Sequence, residues 1–333
     1  ALAIWIYRRL PKGRVRLLAV SLFLVVAFFI YRAILDPAVM AVEANNPAQA
    51  GHIGGLGLNS LLAWPVGALM AAGAAWIIGK IALGLREDYL AIATLGIAEI
   101  IVAVMRNEDW LDRGVKNLID LPRPWPVPYE VNMQTHPDYV DFVTRAGFDA
   151  ITFSTIFVKL LYAAMFGLVL LALIWLCERA LNSPWGRMVR AIRDNEVSAA
   201  AMGKDVKWRH LQIFMIGSAV VGLAGAMMTS MEGQITPGSY LPLRFTFLIW
   251  VMVIVGGSGN NWGAVLGGML IGWLYLAVEF LGPQMMEKIT LGLPPGDLKT
   301  HLLDSAAHMR LLTLGVVLLV VLRFAPKGLI PEK

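Results

Sequence analysis

Eight apolar runs limit what this chain can fold into. They fall near positions 17–31, 58–83, 89–105, 153–176, 211–231, 243–255, 263–281 and 309–324. Crossing a bilayer takes roughly 20 predominantly apolar residues, and most of these runs approach that length. Within lipid the backbone must satisfy its own N–H and C=O groups, so such segments fold as helices. The expected fold is an all-α integral membrane protein, a polytopic helix bundle of about eight spans. Composition agrees: 58% of residues are hydrophobic and 15% charged, against about 25% charged in a soluble domain. The one cysteine, Cys177, excludes an internal disulfide and any Cys-rich metal site. Inside an apolar run it reads as an inert buried thiol.

Charge between the runs sets the expected orientation. Residues 1–7, ALAIWIY, read as the tail of a span that begins upstream. Arg8, Arg9, Lys12, Arg14 and Arg16 follow without an acid, so residues 1–16 end in a basic cytoplasmic loop. Eight spans counted from there return the C-terminus to the cytoplasm, where Arg323, Lys327 and Lys333 lie. The same count puts segment 106–150, with five bases and eight acids, outside. The bases serve topology, so the net charge of +5 calls for no nucleic-acid partner.

A charged island at 178–210, ERALNSPWGRMVRAIRDNEVSAAAMGKDVKWRH, separates two apolar runs. Ser183 and Pro184 are a helix start. Trp185, Met188, Val189 and Ile192 recur at helical spacing as one apolar stripe. Arg187, Arg190 and Asp194 fall opposite, with Arg190 and Asp194 spaced as an i, i+4 pair. Gly203 reads as the C-terminal stop. The island is therefore an amphipathic helix outside the apolar layer. It either lies on anionic lipid or docks a soluble partner.

Polar residues inside spans are costly and point to packing or function. Glu99 is the clearest case; it is read as facing a neighbouring helix or a cavity, as a structural or a transport residue. Thr94 lies on roughly the same side. The run 243–255 is short and ends in GGSGNNWG (256–263), which fits either a broken helix at membrane depth or a tight turn between spans. The Gly-rich stretch 51–59 reads as a flexible loop or as pathway lining. Small residues in MAAGAA (70–75) and GSAVVGLAG (217–225) suit close helix packing.

No Walker-type phosphate loop is present, so the chain brings no such ATP site of its own. His301, Asp304 and His308 share a spacing that suits a metal, but read better as exposed polar residues. No Ser-His-Asp or Cys-His arrangement can be placed.

The island resembles the cytoplasmic loop of ABC importer permeases, whose Glu-Ala-Ala…Gly pattern returns here, loosened, as Glu196, Ala199, Ala200 and Gly203. The longer string SPWGRMVRAIRDNEVSAAAMGKDV is similar to the permeases of branched-chain amino acid importers, the LivM type. LREDYLAIATLGIAEI (85–100), GGSGNNWGAVLGG (256–268) and RFAPKGLI (323–330) match the same family, and the likeness covers about 51–333. Segment 106–150 and an outer insert at 282–308 look like additions. The resemblance implies a permease domain over 17–333 that catalyses no chemistry. Arg190, Arg193, Glu196, Ala199, Ala200 and Gly203 would couple to an ATPase, and Thr94, Glu99, Gly256 and Gly257 would line the pathway or position helices. It also implies a second permease chain, two ATPase subunits that hold ATP and Mg, a periplasmic substrate-binding protein, and residence in the bacterial inner membrane. An ion-coupled secondary transporter or channel is the competing class.

Overall fold

The computed structural model describes residues 14–45, 59–85, 87–108, 118, 119, 121–292, 294 and 296–331. Residues 1–13 and the Gly-rich stretch 51–58, which carry two of the expectations above, lie outside the described residues. The described residues are helical throughout apart from turns, loops and one isolated bridge, Leu118 with Ile235.

Helices α1 (Arg14–Asn45), α2 (Ala63–Ala82) and α3 (Glu87–Asn107) come first. Short helices α4 (Glu130–Thr135) and α5 (Pro137–Arg145) precede the long α6 (Ala150–Asn182). The island forms α7 (Pro184–Asp194) and α8 (Glu196–Ala201), followed by α9 (Val206–Glu232). Then come α10 (Pro242–Gly256), α11 (Asn261–Ile289), α12 (Asp297–Asp304) and α13 (Met309–Phe324). Five stretches, Ser60–Ala82, Tyr89–Asn107, Ala150–Asn182, Val206–Glu232 and Asn261–Gly292, are long and apolar enough to cross a membrane. The bent pair α12 and α13 makes a sixth if it is one span, and α10 is a shorter apolar helix. A count of eight rests on α1 and α10 in addition. Leu69, Ile92, Leu168, Trp273 and Leu319 are all exposed, a surface that water disfavours and lipid chains accept. Cys177 is exposed as well, so the expectation of a buried thiol is corrected. In a membrane an apolar run marks lipid contact as readily as a core.

The chain divides into two compact units. The first holds Ala1–Arg86, Ile100–Phe166 and Lys207–Gly238. Within it α2 and α9 meet through small residues: a Cβ on Gly67 would lie 3.1 Å from the Ala226 Cβ, and Gly222 faces Ala71. Gly73, Gly217 and Gly225 have open space beside them, so only part of the small-residue pattern packs. A polar node ties three helices together. Trp64 Nε1–H donates to Ser230 Oγ at 3.0 Å, and the Tyr162 hydroxyl donates to the Ser230 carbonyl at 3.1 Å. The segment after α3 folds back on this unit, with Val127 buried against Val158 and Tyr162 and Arg123 paired with Glu130 at 2.7 Å.

The second unit holds Glu87–Glu99, Gly167–Val206 and Ser239–Lys333. Its core is Val251, Val255, Ile271 and Leu314, from α10, α11 and α13. Helix α11 runs through Pro283 to Ile289. His301, Asp304 and His308 are exposed, and no group of metal-ligating side chains occurs among the described residues.

Candidate functional site

The island forms two helices rather than one. Ser183 opens α7, its Oγ accepting from the Gly186 amide at 3.2 Å, with Pro184 at the first helical position. At Asn195 the backbone turns extended, φ −157 and ψ 98, and its Oδ1 accepts from the Ser198 amide at 2.9 Å to start α8. Glu196 occupies the first turn of α8, where a negative charge meets the positive end of the helix dipole. Gly203 closes α8 at φ +78. Its N–H bonds to the Ala200 carbonyl at 2.9 Å and the Lys204 N–H to the Ala199 carbonyl at 3.2 Å, the paired bonds of a Schellman stop.

The apolar stripe turns inward. Ile192, Ala199 and Val206 are buried together with Met188 packed on them. Ala199 is therefore core, while Glu196, Ala200 and Gly203 are exposed. Beside them Val197 and Met202 are each 80% exposed, an apolar pair that the sequence pattern did not single out. Its only signal is that both fall off the stripe.

Two arginines tie α7 to the end of α6. Arg190 Nη2 donates to the Leu181 carbonyl at 2.8 Å, and Arg187 Nη1 to the Asn182 carbonyl at 3.2 Å. These carbonyls are among the four that a helix end leaves without partners. The expected Arg190–Asp194 pair is thus corrected: Arg190 is turned to α6, and Asp194 bonds its neighbour Arg193 at 3.3 Å. The helix-end carbonyl is a fixed acceptor, whereas an exposed i, i+4 pair is worth little.

The motif GGSGNNWG is a tight turn between α10 and α11. Gly257 takes φ +118, and Asn260 Oδ1 accepts from the Trp262 and Gly263 amides at 2.9 and 3.3 Å. Gly256, Gly263 and Gly267 bring the two helices into backbone contact, leaving no space for a Cβ on any of them. The C-terminal tail completes the turn: the Leu329 N–H reaches the Val255 carbonyl at 2.9 Å and the Ile330 N–H the Gly256 carbonyl at 3.0 Å. Gly256 thus sits in main-chain contact with Gly263 and Gly267, and Gly257 with Ile330.

Turn and island meet in the second unit. Arg190 and Arg193 line a cleft of about 420 Å³ with Leu181, Gly257, Gly259 and Asn260. Trp262 Nε1–H donates to Glu178 Oε1 at 3.1 Å. Glu178 and Trp262 are contacts that the sequence could not announce, because they lie far apart in the chain. Thr94 and Glu99 belong elsewhere, on α3. The Thr94 hydroxyl bonds back to the Leu90 carbonyl of its own helix at 2.9 Å. Glu99 is exposed, with no hydrogen bond or ion pair among the described residues.

A family model described as branched-chain amino acid transport system / permease component matches residues 15–322. The chain is 30% identical over 240 residues to the high-affinity branched-chain amino acid transport system permease protein LivM of Escherichia coli (strain K12), covering 69% of this chain and 53% of that protein. It is 27% identical over 300 residues to the probable branched-chain amino acid transport permease protein LivM of Methanocaldococcus jannaschii, covering 87% and 73%. Over 132 residues it is 28% identical to the D-allose transport system permease protein AlsC of Escherichia coli (strain K12), covering 38% and 40%. The chain thus spans about half the length of the first of these relatives. No solved structure matches.

Proposed function

The chain belongs to the branched-chain amino acid transport permease family, and from that premise we propose that it is a pathway-forming subunit of an ATP-driven importer for branched-chain or related amino acids. Its island docks an ATPase subunit. The observation that carries the reading is the exposed pair Val197 and Met202 beside Glu196 and the Gly203 stop. Their exposure gives the helix pair apolar contacts to offer a partner next to the Glu196 charge.

In this reading eight spans cross the bacterial inner membrane, with α1, α10 and α13 among them. Island, glycine turn and C-terminus lie on the cytoplasmic side, where the bases gather. A second permease chain completes the pathway, two ATPase subunits bind ATP and Mg, and a periplasmic protein delivers substrate. Closure of the ATPase pair moves α7 and α8, and through the Arg190–Leu181 bond the end of α6 moves with them. Each step works because a partner binds one state better than the other.

The test is the double variant Glu196→Arg with Gly203→Pro. Proline cannot adopt φ +78 and removes the amide that bonds Ala200. Co-purification with the ATPase and ATP-dependent uptake in reconstituted vesicles should both collapse, while membrane insertion survives. Retained ATP-dependent transport would remove Glu196 and Gly203 from the coupling surface. Transport by the isolated permease down an ion gradient would favour a secondary transporter instead.

A further inference from the structure

Resting on that reading, we propose that the end of the second unit opposite the glycine turn carries a pocket for one free, zwitterionic amino acid with an apolar side chain. Helix α11 leaves the turn at Asn261 and reaches Glu279 after a rise of about 27 Å, close to the thickness of the hydrocarbon core. In the topology proposed above, this end faces the outside. Here α13 begins, and a cavity of about 260 Å³ is lined by the polar Glu279, Asp304 and Arg310 and by the apolar Val278, Leu303 and Ala306. Pro283 completes the apolar wall.

The polar side matches the head of an amino acid. Arg310 Nη1 lies 3.0 Å from Glu279 Oε1, and the two side chains keep 26% and 55% of their exposure. Both charges are held in place yet remain reachable. Two guanidiniums approach the Tyr275 ring, Arg310 at 5.2 Å and Arg244 at 5.6 Å from its centroid, and Arg244 also donates to the Tyr275 hydroxyl. The ring, through its π face, and Glu279, through the ion pair, both hold Arg310 in place. A guanidinium carries five donors in a fork, so Arg310 keeps donors for an α-carboxylate, which it can take bidentately. Asp304 makes no hydrogen bond or ion pair among the described residues. With the second carboxylate oxygen of Glu279 it supplies the acceptors that an α-ammonium needs.

The alternatives fit less well. A lipid phosphate would be drawn by Arg310 but repelled by two carboxylates. The volume lies near the low end of small-ligand sites, which excludes a peptide. An ion pair that merely fastens α13 to α11 needs neither Asp304 nor an apolar wall.

The experiment uses the full importer complex in lipid nanodiscs without the binding protein, with radiolabelled leucine as probe. Leucine should bind. Leucinamide, which lacks the carboxylate, and 4-methylpentanoate, which lacks the ammonium, should compete about tenfold or more less well, the cost of one charge-assisted hydrogen bond. Arg310→Gln should weaken binding by a similar factor. Leu303→Trp, which fills the cavity and leaves the ion pair intact, should weaken it as much. Leucine uptake by the complete system with no leucine bound in the nanodiscs, or with both variants binding as the wild type does, would overturn the pocket and leave the permease reading standing. A complete wild-type system that takes up no amino acid would defeat the permease reading, and this proposal with it.

Discussion

The Ile330 amide donates to the Gly256 carbonyl at 3.0 Å, joining the end of the chain to the end of α10. A neighbouring bond from Leu329 to Val255 doubles the latch, and Gly328 permits both by holding φ +78 against Gly257. Gly328→Ala forces a side chain into the left-handed region, at a cost of about 1–3 kcal/mol. The thermal unfolding midpoint of purified protein should fall. Gly315→Ala, in open space on α13, should leave it unchanged or raise it slightly.

Arg190 is expected to act on the chain itself before it acts on any partner. Arg190→Ala deprives the Leu181 carbonyl of its donor and loosens the corner between α6 and α7, by about 1 kcal/mol. Chymotrypsin should then cut faster at Leu181 and Trp185. Unchanged cleavage together with lost ATPase co-purification would instead make Arg190 a direct docking contact.

Glu99 tests whether a second chain is required to complete α3. A carboxylate at a span centre costs about 2.5–3.5 kcal/mol on insertion, so Glu99→Leu should reach the membrane at wild-type levels or above. Uptake should nonetheless fall if the carboxylate meets the pathway or the partner permease. Normal uptake by this variant would leave the residue without an essential role.

Asp149 gives a pH dependence with a definite sign. Its carboxylate accepts the Thr152 amide at 2.9 Å and the Thr152 hydroxyl at 2.8 Å, and these bonds, the amide first, hold its pKa below 3.8. A lowered folded-state pKa stabilises the fold fully above the unfolded value and ceases to do so as pH falls through the folded one. Thermal scans from pH 5 downward should show wild-type stability dropping below about pH 4. Asp149→Ala should begin lower and lose less over the same range.

Helix positions were legible because an apolar run of span length has few other uses; 153–176 lies wholly inside α6 and 309–324 coincides with α13. The break at Asn195 was not. Ile192 and Ala199 are seven residues apart, two helical turns, so the buried stripe keeps its register across the interruption. For Arg190, spacing along a helix supplies Asp194 as a partner, while only the folded corner supplies Leu181. The meeting of island, turn and tail depends on tertiary packing, and no local pattern encodes it. An apolar run predicts burial for Cys177 only where the surrounding solvent is water.

The three glycines between α10 and α11 have a mechanical consequence. With Gly256, Gly263 and Gly267 in backbone contact, sliding one helix past the other by a residue drives side chains into main chain. The pair behaves as a toothed rack engaged at one setting, and it must tilt as a single piece. The two ends of α11 are then ends of one lever: a push delivered at Trp262 and a molecule held at Glu279 work against the same stiff bar.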